Sequence, residues 1–282
     1  MPNRHTNEEY KAIADDARLI TQAFIDGQFV DSASGKTFET VSPSSGKVLA
    51  NIAECDSEDV NRAVAAARQA FEDGRWRNMG PVQRKAIMLK WAELIQKNSV
   101  ELAVLECTDM GKTISDALNA DLPATISCFK WFAESIDKIY DEIAPSAPDR
   151  VIMMRREPLG VVACVVPWNF PLMMTAWKVA PSLILGNSVI LKPAEQSPLT
   201  ALRLAELAAE AGLPDGVFHV LPGYGPTAGK ALGLHEDVDC IGFTGSTEVG
   251  KFFLKYSAES NMKQVHIEAG GKSPHIIFAD AA

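Results

Sequence analysis

The chain has 282 residues, of which 47% are hydrophobic and 22% charged, and its formal net charge at pH 7 is −9. This length allows one large or two ordinary domains with a sizeable core, and the composition excludes an intrinsically disordered chain. The acidic balance argues against nucleic acid or an anionic membrane surface as the main partner.

No apolar run approaches the length of a membrane span, because Pro181, Gly186 and Asn187 interrupt the most apolar stretch. The first ten residues lack the apolar core of a secretory signal, so a cytoplasmic location is expected. The cysteines form no CxxC pair and the histidines are scattered, which predicts reduced thiols and no metal site. The cysteines are Cys55, Cys107, Cys128, Cys164 and Cys240.

The first 60 residues predict a weak helix over 8–23 followed by short strands. Residues 24–30 are expected to form a hairpin, because the pair Asp26-Gly27 suits a type I′ turn. Strands over 37–41 and 48–52 are expected to continue it as a small antiparallel meander.

Four helices are predicted next. Asp56 caps the first and Pro81 begins the second. The third covers 99–110, and the fourth covers 114–140 with a kink or break at Pro123. In the fourth helix, the aromatic pair at 131–132 is expected to pack in the core rather than contact a ligand.

From residue 159 onward, apolar runs alternate with helical segments. Strands are expected near 161–166, 188–192, 217–221, 239–243 and 264–268, and helices near 172–185, 198–211, 226–233 and 246–258. Strands separated by helical crossovers predict an α/β fold with a doubly wound, Rossmann-like parallel sheet. Such a sheet binds ligands at the carboxyl ends of its strands.

Four motifs fall at those strand ends. They are Pro167-Trp168-Asn169, Lys192-Pro-Ala-Glu195, the run from Phe243 to Gly250, and Glu268-Ala-Gly-Gly-Lys-Ser273. Together, in this order, they resemble the NAD(P)-dependent aldehyde dehydrogenase superfamily from about Phe24 to the last residue. The resemblance implies an enzyme that oxidises an aldehyde to a carboxylic acid with a nicotinamide cofactor.

The turn from Gly245 to Gly250 opens a helix after a strand, where free N–H groups attract a pyrophosphate. The resemblance implies that Ser246 contacts phosphate. A second turn around Gly225 is expected near the adenine. The alternative is that this turn only marks the start of a helix. Glu195 can accept hydrogen bonds from ribose hydroxyls and so favours NAD over NADP; an exposed ion pair with Lys192 is the alternative.

The residues expected to contact the cofactor are Val166, Pro167, Trp168, Lys192, Glu195, Gly225, Phe243, Thr244, Gly245, Ser246 and Val249.

Three residues are candidates for catalysis. Glu268 ends a strand beside two glycines, where a general base is commonly placed, although a solvated loop acid fits this stretch alone equally well. The resemblance implies that Glu268 activates the water that hydrolyses an acyl-enzyme thioester. It also implies that Asn169 donates to the developing oxyanion and that Lys178 relays protons or has a structural role.

The implied mechanism also needs a cysteine thiolate, which relatives carry a few dozen residues after the glutamate motif. None of the five cysteines occupies a matching position. The chain is therefore expected to be an N-terminal half with a truncated catalytic domain, inactive alone; a non-catalytic NAD-binding or subunit-associating fragment is the alternative. The residual strand expected over 274–278 would expose an apolar edge and promote association.

The expected organisation has four parts. Residues 1–141 form the N-terminal part of the NAD-binding domain, 142–158 an oligomerisation arm, 159–267 the Rossmann-like part, and 268–282 the start of the catalytic domain. The arm follows from the resemblance, with an ordinary surface hairpin as the alternative. The resemblance also implies a homo-oligomer and an aldehyde from amine breakdown, closest to γ-glutamyl-γ-aminobutyraldehyde or betaine-type enzymes.

Overall fold

The computed structural model describes residues 5–271 and 273–281. Eleven strands lie within these ranges. They are β1 (Ala23–Ile25), β2 (Gln28–Val30), β3 (Thr37–Val41), β4 (Val48–Ala53), β5 (Glu142–Ala144), β6 (Ile152–Met154), β7 (Val161–Val165), β8 (Ser188–Lys192), β9 (Phe218–Val220), β10 (Cys240–Gly245) and β11 (Gln264–Ala269).

The described helices are α1 (Asn7–Asp15), α2 (Ser57–Glu72), α3 (Pro81–Lys97), α4 (Ser99–Met110), α5 (Ile114–Asp116), α6 (Leu122–Ser135), α7 (Pro171–Ile184), α8 (Leu199–Ala211), α9 (Lys230–Leu234) and α10 (Thr247–Ala258). Two π-helical turns, Ala117–Asp121 and Gly225–Gly229, precede α6 and α9, and a 3₁₀ turn, Ile136–Lys138, follows α6.

A seven-stranded sheet forms the centre of the fold, in the order β11-β10-β7-β8-β9-β1-β2. Its five strands from β7 to β11 are parallel, and β1 joins β9 in the antiparallel direction. Strands β8 and β9 lie on one side of β7, and the later strands β10 and β11 lie on the other side. This order confirms the prediction of a doubly wound sheet. The reversal of strand order lies between β7 and β10, the place where such sheets bind ligands.

Every residue of β7 and β8 is buried, because helices cover both faces of the sheet. Alternate side chains along β7 enter two different cores. Val162 and Cys164 face the larger core, which includes residues of α3, α4, α6, α7 and α8. Val161, Ala163 and Val165 face the smaller core, which includes residues of α2, α9 and α10.

The N-terminal antiparallel elements differ from the prediction. The hairpin over 24–30 is present, with φ of 50° at Asp26 and 77° at Gly27 as its turn requires. It extends the main sheet through the pair Phe24 and Val220, however, whereas β3 and β4 form a separate two-stranded sheet. The single meander was therefore wrong, because β1 pairs with the edge of the parallel sheet.

Two predicted helices also differ. The first ends at Asp15, and the chain then runs to β1 with Ile20 buried in the larger core. The fourth has the expected break just before Pro123, at the π-helical turn where Leu122 N–H donates to Ala117 O, but its last α-helical residue is Ser135 rather than one near 140. Trp131 in α6 is 66% exposed, so its assignment to the core was wrong, whereas its neighbour at 132 packs against the core.

Two segments leave apolar side chains in solvent. The strands β5 and β6 pair as the expected hairpin over 142–154, with exposed apolar side chains on both strands. The strand predicted over 274–278 was wrong, because none of the described residues pairs with this segment. Ile276, Ile277 and Phe278 are exposed, as predicted. In the described ranges, no helix has the length and apolarity needed to cross a membrane.

Candidate functional site

A cleft of about 730 Å³ opens at the carboxyl ends of β7, β10 and β11. This volume falls within the roughly 300–1,000 Å³ typical of ligand pockets. All eleven residues predicted to contact a cofactor line it, together with Asn169 and Glu268. The structure thus brings four motifs, spread over about a hundred residues of sequence, into one cavity at the reversal of strand order.

Aromatic side chains of α10 form an apolar wall of the cleft. Phe252, Phe253 and Tyr256 follow Val249 at helical spacing, and all four line the cavity. The ring of Phe253 lies 5.0 Å from that of Phe243 on β10. Sequence reasoning named Val249 and Phe243 but missed the other three, although spacings of three, four and seven residues place them on one helix face.

The N-terminus of α10 supplies hydrogen-bond donors. Ser246 caps this helix, and its Oγ accepts a hydrogen bond from Val249 N–H at 3.2 Å. The hydroxyl proton of Ser246 is left to donate elsewhere, and the first-turn N–H groups have no partner within the helix itself. With the positive end of the helix dipole, these groups suit a phosphate at the mouth of the cleft.

Glycines let the backbone approach closely here. A Cβ on Gly245 would lie 2.5 Å from the ring of Phe243, so this strand end needs glycine. The π-helical turn forms a second wall, and within the described part of the chain no neighbouring atom lies within 4 Å of the position that a Cβ would take at Gly225. The space beside Gly225 is open cleft.

Lys192 and Glu195 lie at the end of β8. Lys192 is only 2% exposed, and its Nζ donates to Pro193 O at 2.6 Å and to Glu195 Oε2 at 3.4 Å. Burial lowers the pKa of Lys192, and the Glu195 carboxylate opposes that shift. The pair is therefore not the exposed surface ion pair of the alternative interpretation.

Two hydrogen bonds hold the loop that carries Asn169. Val166 N–H donates to Lys192 O at 3.2 Å, and Ser197 Oγ donates to Trp168 O at 3.0 Å. The Trp168 ring is half exposed, and Asn169 is exposed at the cleft. The carboxamide is therefore available to a ligand.

Glu268 reaches the same cavity from β11. In the parallel ladder it lies beside Thr244 of β10, next to the Gly245 turn. It is exposed, and among the described residues no neighbouring atom lies within 4 Å of a Cβ position at Gly270. A carboxylate at this place can meet both a water molecule and a substrate.

Lys178 does not line the cleft. It lies on α7 beneath the sheet, where its Cδ would be 3.7 Å from a Cβ on Gly242. Burial lowers the pKa of Lys178, and the charges of Cys164 and Glu268 oppose this. The ammonium is therefore within electrostatic reach of Glu268 without sharing its cavity.

The cysteines lie elsewhere. All five are free, and among the described residues no cysteine lines the cleft. Cys164 and Cys240 are buried within their strands, as predicted. Burial raises the pKa of Cys164 to about 12 and that of Cys128 to about 11, so these thiols stay protonated at neutral pH. Within the described ranges, no group of His, Cys, Asp and Glu has a metal-binding arrangement.

Comparison with known proteins adds the decisive observation. The profile of the aldehyde dehydrogenase family matches residues 29–282. The chain belongs to the aldehyde dehydrogenase family. Its relatives include the aminoacetaldehyde dehydrogenase of Pseudomonas aeruginosa, 54% identical over 275 residues, and the NADP/NAD-dependent aldehyde dehydrogenase PuuC of Escherichia coli K12, 52% identical over 262 residues.

The matched regions cover 98% and 93% of this aldehyde dehydrogenase chain, but 55% and 53% of the two relatives. The chain thus spans about half the length of the curated relatives it matches. Among solved structures, a variant of the P. syringae indole-3-acetaldehyde dehydrogenase AldA, in complex with NAD+ and IAA, superposes with a TM-score of 0.96 at 52% identity. That match covers 99% of this chain and 56% of the other.

Proposed function

We propose that this chain supplies the NAD-binding cleft and two catalytic groups for the oxidation of an aldehyde to a carboxylic acid. The observation that carries the proposal is the convergence of all the predicted cofactor residues, with Asn169 and Glu268, on one cavity. The donor set fits a dinucleotide, because it combines a helix N-terminus for the pyrophosphate, a carboxylate for ribose hydroxyls and an apolar wall. When bound, NAD supplies the hydride acceptor.

Asn169 and Glu268 have separate roles in this proposal. The Asn169 carboxamide donates a hydrogen bond to the oxygen on which negative charge develops when the carbonyl is attacked. Glu268 accepts a proton from the water that releases the acid, since a carboxylate at the cleft edge is within reach of solvent. Lys178, on α7 outside the cleft, is assigned the relay of protons or a structural role.

The reaction also needs a nucleophile. The five cysteines lie away from the cleft, and burial keeps the thiols of Cys164 and Cys128 protonated. We therefore infer that the 282-residue chain binds NAD without turning over aldehyde. A non-catalytic NAD-binding or subunit-associating role is the second candidate, and the exposed apolar hairpin over 142–154 favours it.

An assay of the purified chain separates these roles. NADH formation would be followed by absorbance with NAD and a panel of small aldehydes that includes amino aldehydes. The expected rate equals that of a Glu268→Gln control. Turnover above the control would overturn the inactivity of the chain alone and would assign catalysis to the groups present.

The hairpin over 142–154 is proposed as an arm that pairs with a second copy, which matches the resemblance noted above. An amine-derived aldehyde is proposed as the substrate class, supported by the name of the P. aeruginosa relative. Free cysteines suit the reducing conditions of a cytoplasm, which is the proposed location.

A further inference from the structure

A buried charge cluster lies outside the cleft, where α4 meets the π-helical turn before α6. Glu106, Lys112 and Asp121 form it, with side chains 0%, 10% and 2% exposed. The Lys112 ammonium contacts the Asp121 carboxylate and lies 3.8 Å from Glu106 Oε1. Burying an ion pair beside a further carboxyl group is costly, and apolar residues of similar volume often hold helices together at least as well. The cluster therefore calls for a role beyond packing.

The cluster touches the catalytic loop through one ring. The Nζ of Lys112 lies 4.1 Å from the centre of the Phe170 ring, a cation–π distance. Phe170 directly follows Asn169, and its carbonyl accepts the Met174 N–H at 2.9 Å where α7 begins. Holding this ring therefore fixes the backbone between the Asn169 carboxamide and the helix.

Glu106 connects the cluster to the same junction. Burial raises the pKa of Glu106 to about 8, and the charge of Lys112 opposes the shift. The Leu172 N–H, in the first turn of α7, and the Thr200 hydroxyl also lower this pKa. Among the groups that lower this pKa, the Lys112 ammonium acts most strongly, from 3.8 Å away.

We propose that Lys112 is a positioning residue, which Glu106 and Asp121 hold against the Phe170 ring so that the adjacent Asn169 carboxamide keeps its orientation in the cleft. This inference rests on the proposed role of Asn169 in catalysis. It concerns the order of the loop, which is measurable without turnover.

Hydrogen exchange of the amides from Trp168 to Met174 tests the contact. Phe170→Leu removes the aromatic face and should speed exchange of these amides about tenfold, as expected for the loss of a partly desolvated cation–π contact. Phe170→Tyr keeps the face and should exchange like the parent chain. Equal exchange in the two variants would overturn the proposal.

The lysine is tested separately. Lys112→Met should produce the same local acceleration as Phe170→Leu. The matched control is Lys85→Met, since Lys85 also bridges two carboxylates, those of Glu134 and Asp137, but lies on α3. If Lys112→Met does not fold, the two Phe170 variants still decide the outcome.

A second readout separates positioning from general ordering of the loop. The side-chain amide resonance of Asn169, assigned with Asn169→Ser, should shift in Lys112→Met, which leaves the Phe170 ring in place, and should not move in Lys85→Met. Faster exchange without that shift would overturn positioning. Failure of the chain to bind NAD would instead count against the proposed function, and it would leave these loop measurements unchanged.

Discussion

At the residue scale, His219 shows what complete burial does to a titratable side chain. Its Nδ1 accepts the Asp26 N–H at 3.2 Å, and its Nε2 faces the Gly216 carbonyl at 3.0 Å. These partners require the neutral ring with its proton on Nε2. Burial lowers the pKa of His219 from 6.5 to about 4, because the charged form loses its hydration.

This shift predicts a pH dependence of stability. The His219 ring binds a proton near pH 6.5 in the unfolded chain and only near pH 4 in the folded chain. The stability that comes from the buried neutral ring is therefore present in full above pH 6.5 and is lost as the pH falls toward 4. The expected loss is about 3 kcal/mol. The free energy of unfolding in urea, measured between pH 7 and pH 4.5, should fall less with decreasing pH for His219→Gln than for the exposed control His275→Gln. An equal fall of the free energy of unfolding in the two variants would contradict a buried, neutral His219.

Glu195 carries the prediction on cofactor choice. Glu195→Ala should weaken NAD binding about tenfold, because hydrogen bonds to a charged acceptor are lost, and should leave NADP binding unchanged or tighter. Titration calorimetry with both dinucleotides measures this. Glu259 makes an exposed ion pair with Lys255, at 3.6 Å, and does not line the cleft, so Glu259→Ala is the control for the loss of a glutamate elsewhere. A parallel loss for both dinucleotides would refute a ribose contact.

At the scale of elements, Arg84 of α3 joins two parts of the chain that border the sheet. Its Nε donates to Ile184 O at 3.1 Å, at the end of α7, and its Nη1 donates to Arg77 O and Met79 O at 2.9 Å each. One buried side chain thus satisfies carbonyls at the end of one helix and in the loop before another.

Arg84→Met should therefore destabilise the fold by roughly 4 kcal/mol, because each buried carbonyl left unpaired costs about 1–3 kcal/mol. Arg18 is an exposed arginine whose ion pair with Glu206 spans 3.2 Å. Arg18→Met should change the free energy of unfolding by less than about 1 kcal/mol. Chemical denaturation compares the two, and similar losses would remove the special role of Arg84.

The elements also show what a sequence can predict. The alternation after residue 159 predicted each strand of the parallel sheet, because buried apolar runs separated by helical crossovers favour parallel pairing. The order of the strands was not predicted. The π-helical turn before α6 was not predicted, since a bond from Leu122 to Ala117 depends on packing with α4. The face of α10 was also unassigned: Phe252 and Phe253 are adjacent and apolar, yet one is exposed and the other buried.

At the scale of the whole molecule, exposed apolar groups gather on segments outside the sheet. In the hairpin over 142–154, Ile143 and Met153 are each 73% exposed, and residues 276–278 add a second exposed apolar stretch. Contiguous apolar surface of this kind marks association sites. The isolated chain is therefore expected to associate in solution.

Light scattering after gel filtration tests this expectation. Ile143→Glu should lower the average mass of the chain, because it places a charge on the apolar hairpin. Val82 is a similarly exposed apolar residue, but it lies alone on α3. Val82→Glu should leave the mass unchanged. A parent chain that is monomeric throughout would refute association through the hairpin.

The central claim is that a dinucleotide lies across the reversal of strand order, with its reactive ring beside Glu268. A crystal structure of the chain with NAD tests it most directly. The expected density places the pyrophosphate at Ser246 and the start of α10, and the nicotinamide between the Trp168 loop and Glu268. Density for NAD elsewhere on the protein, or a Glu268 side chain directed into bulk water away from the ring, would contradict it.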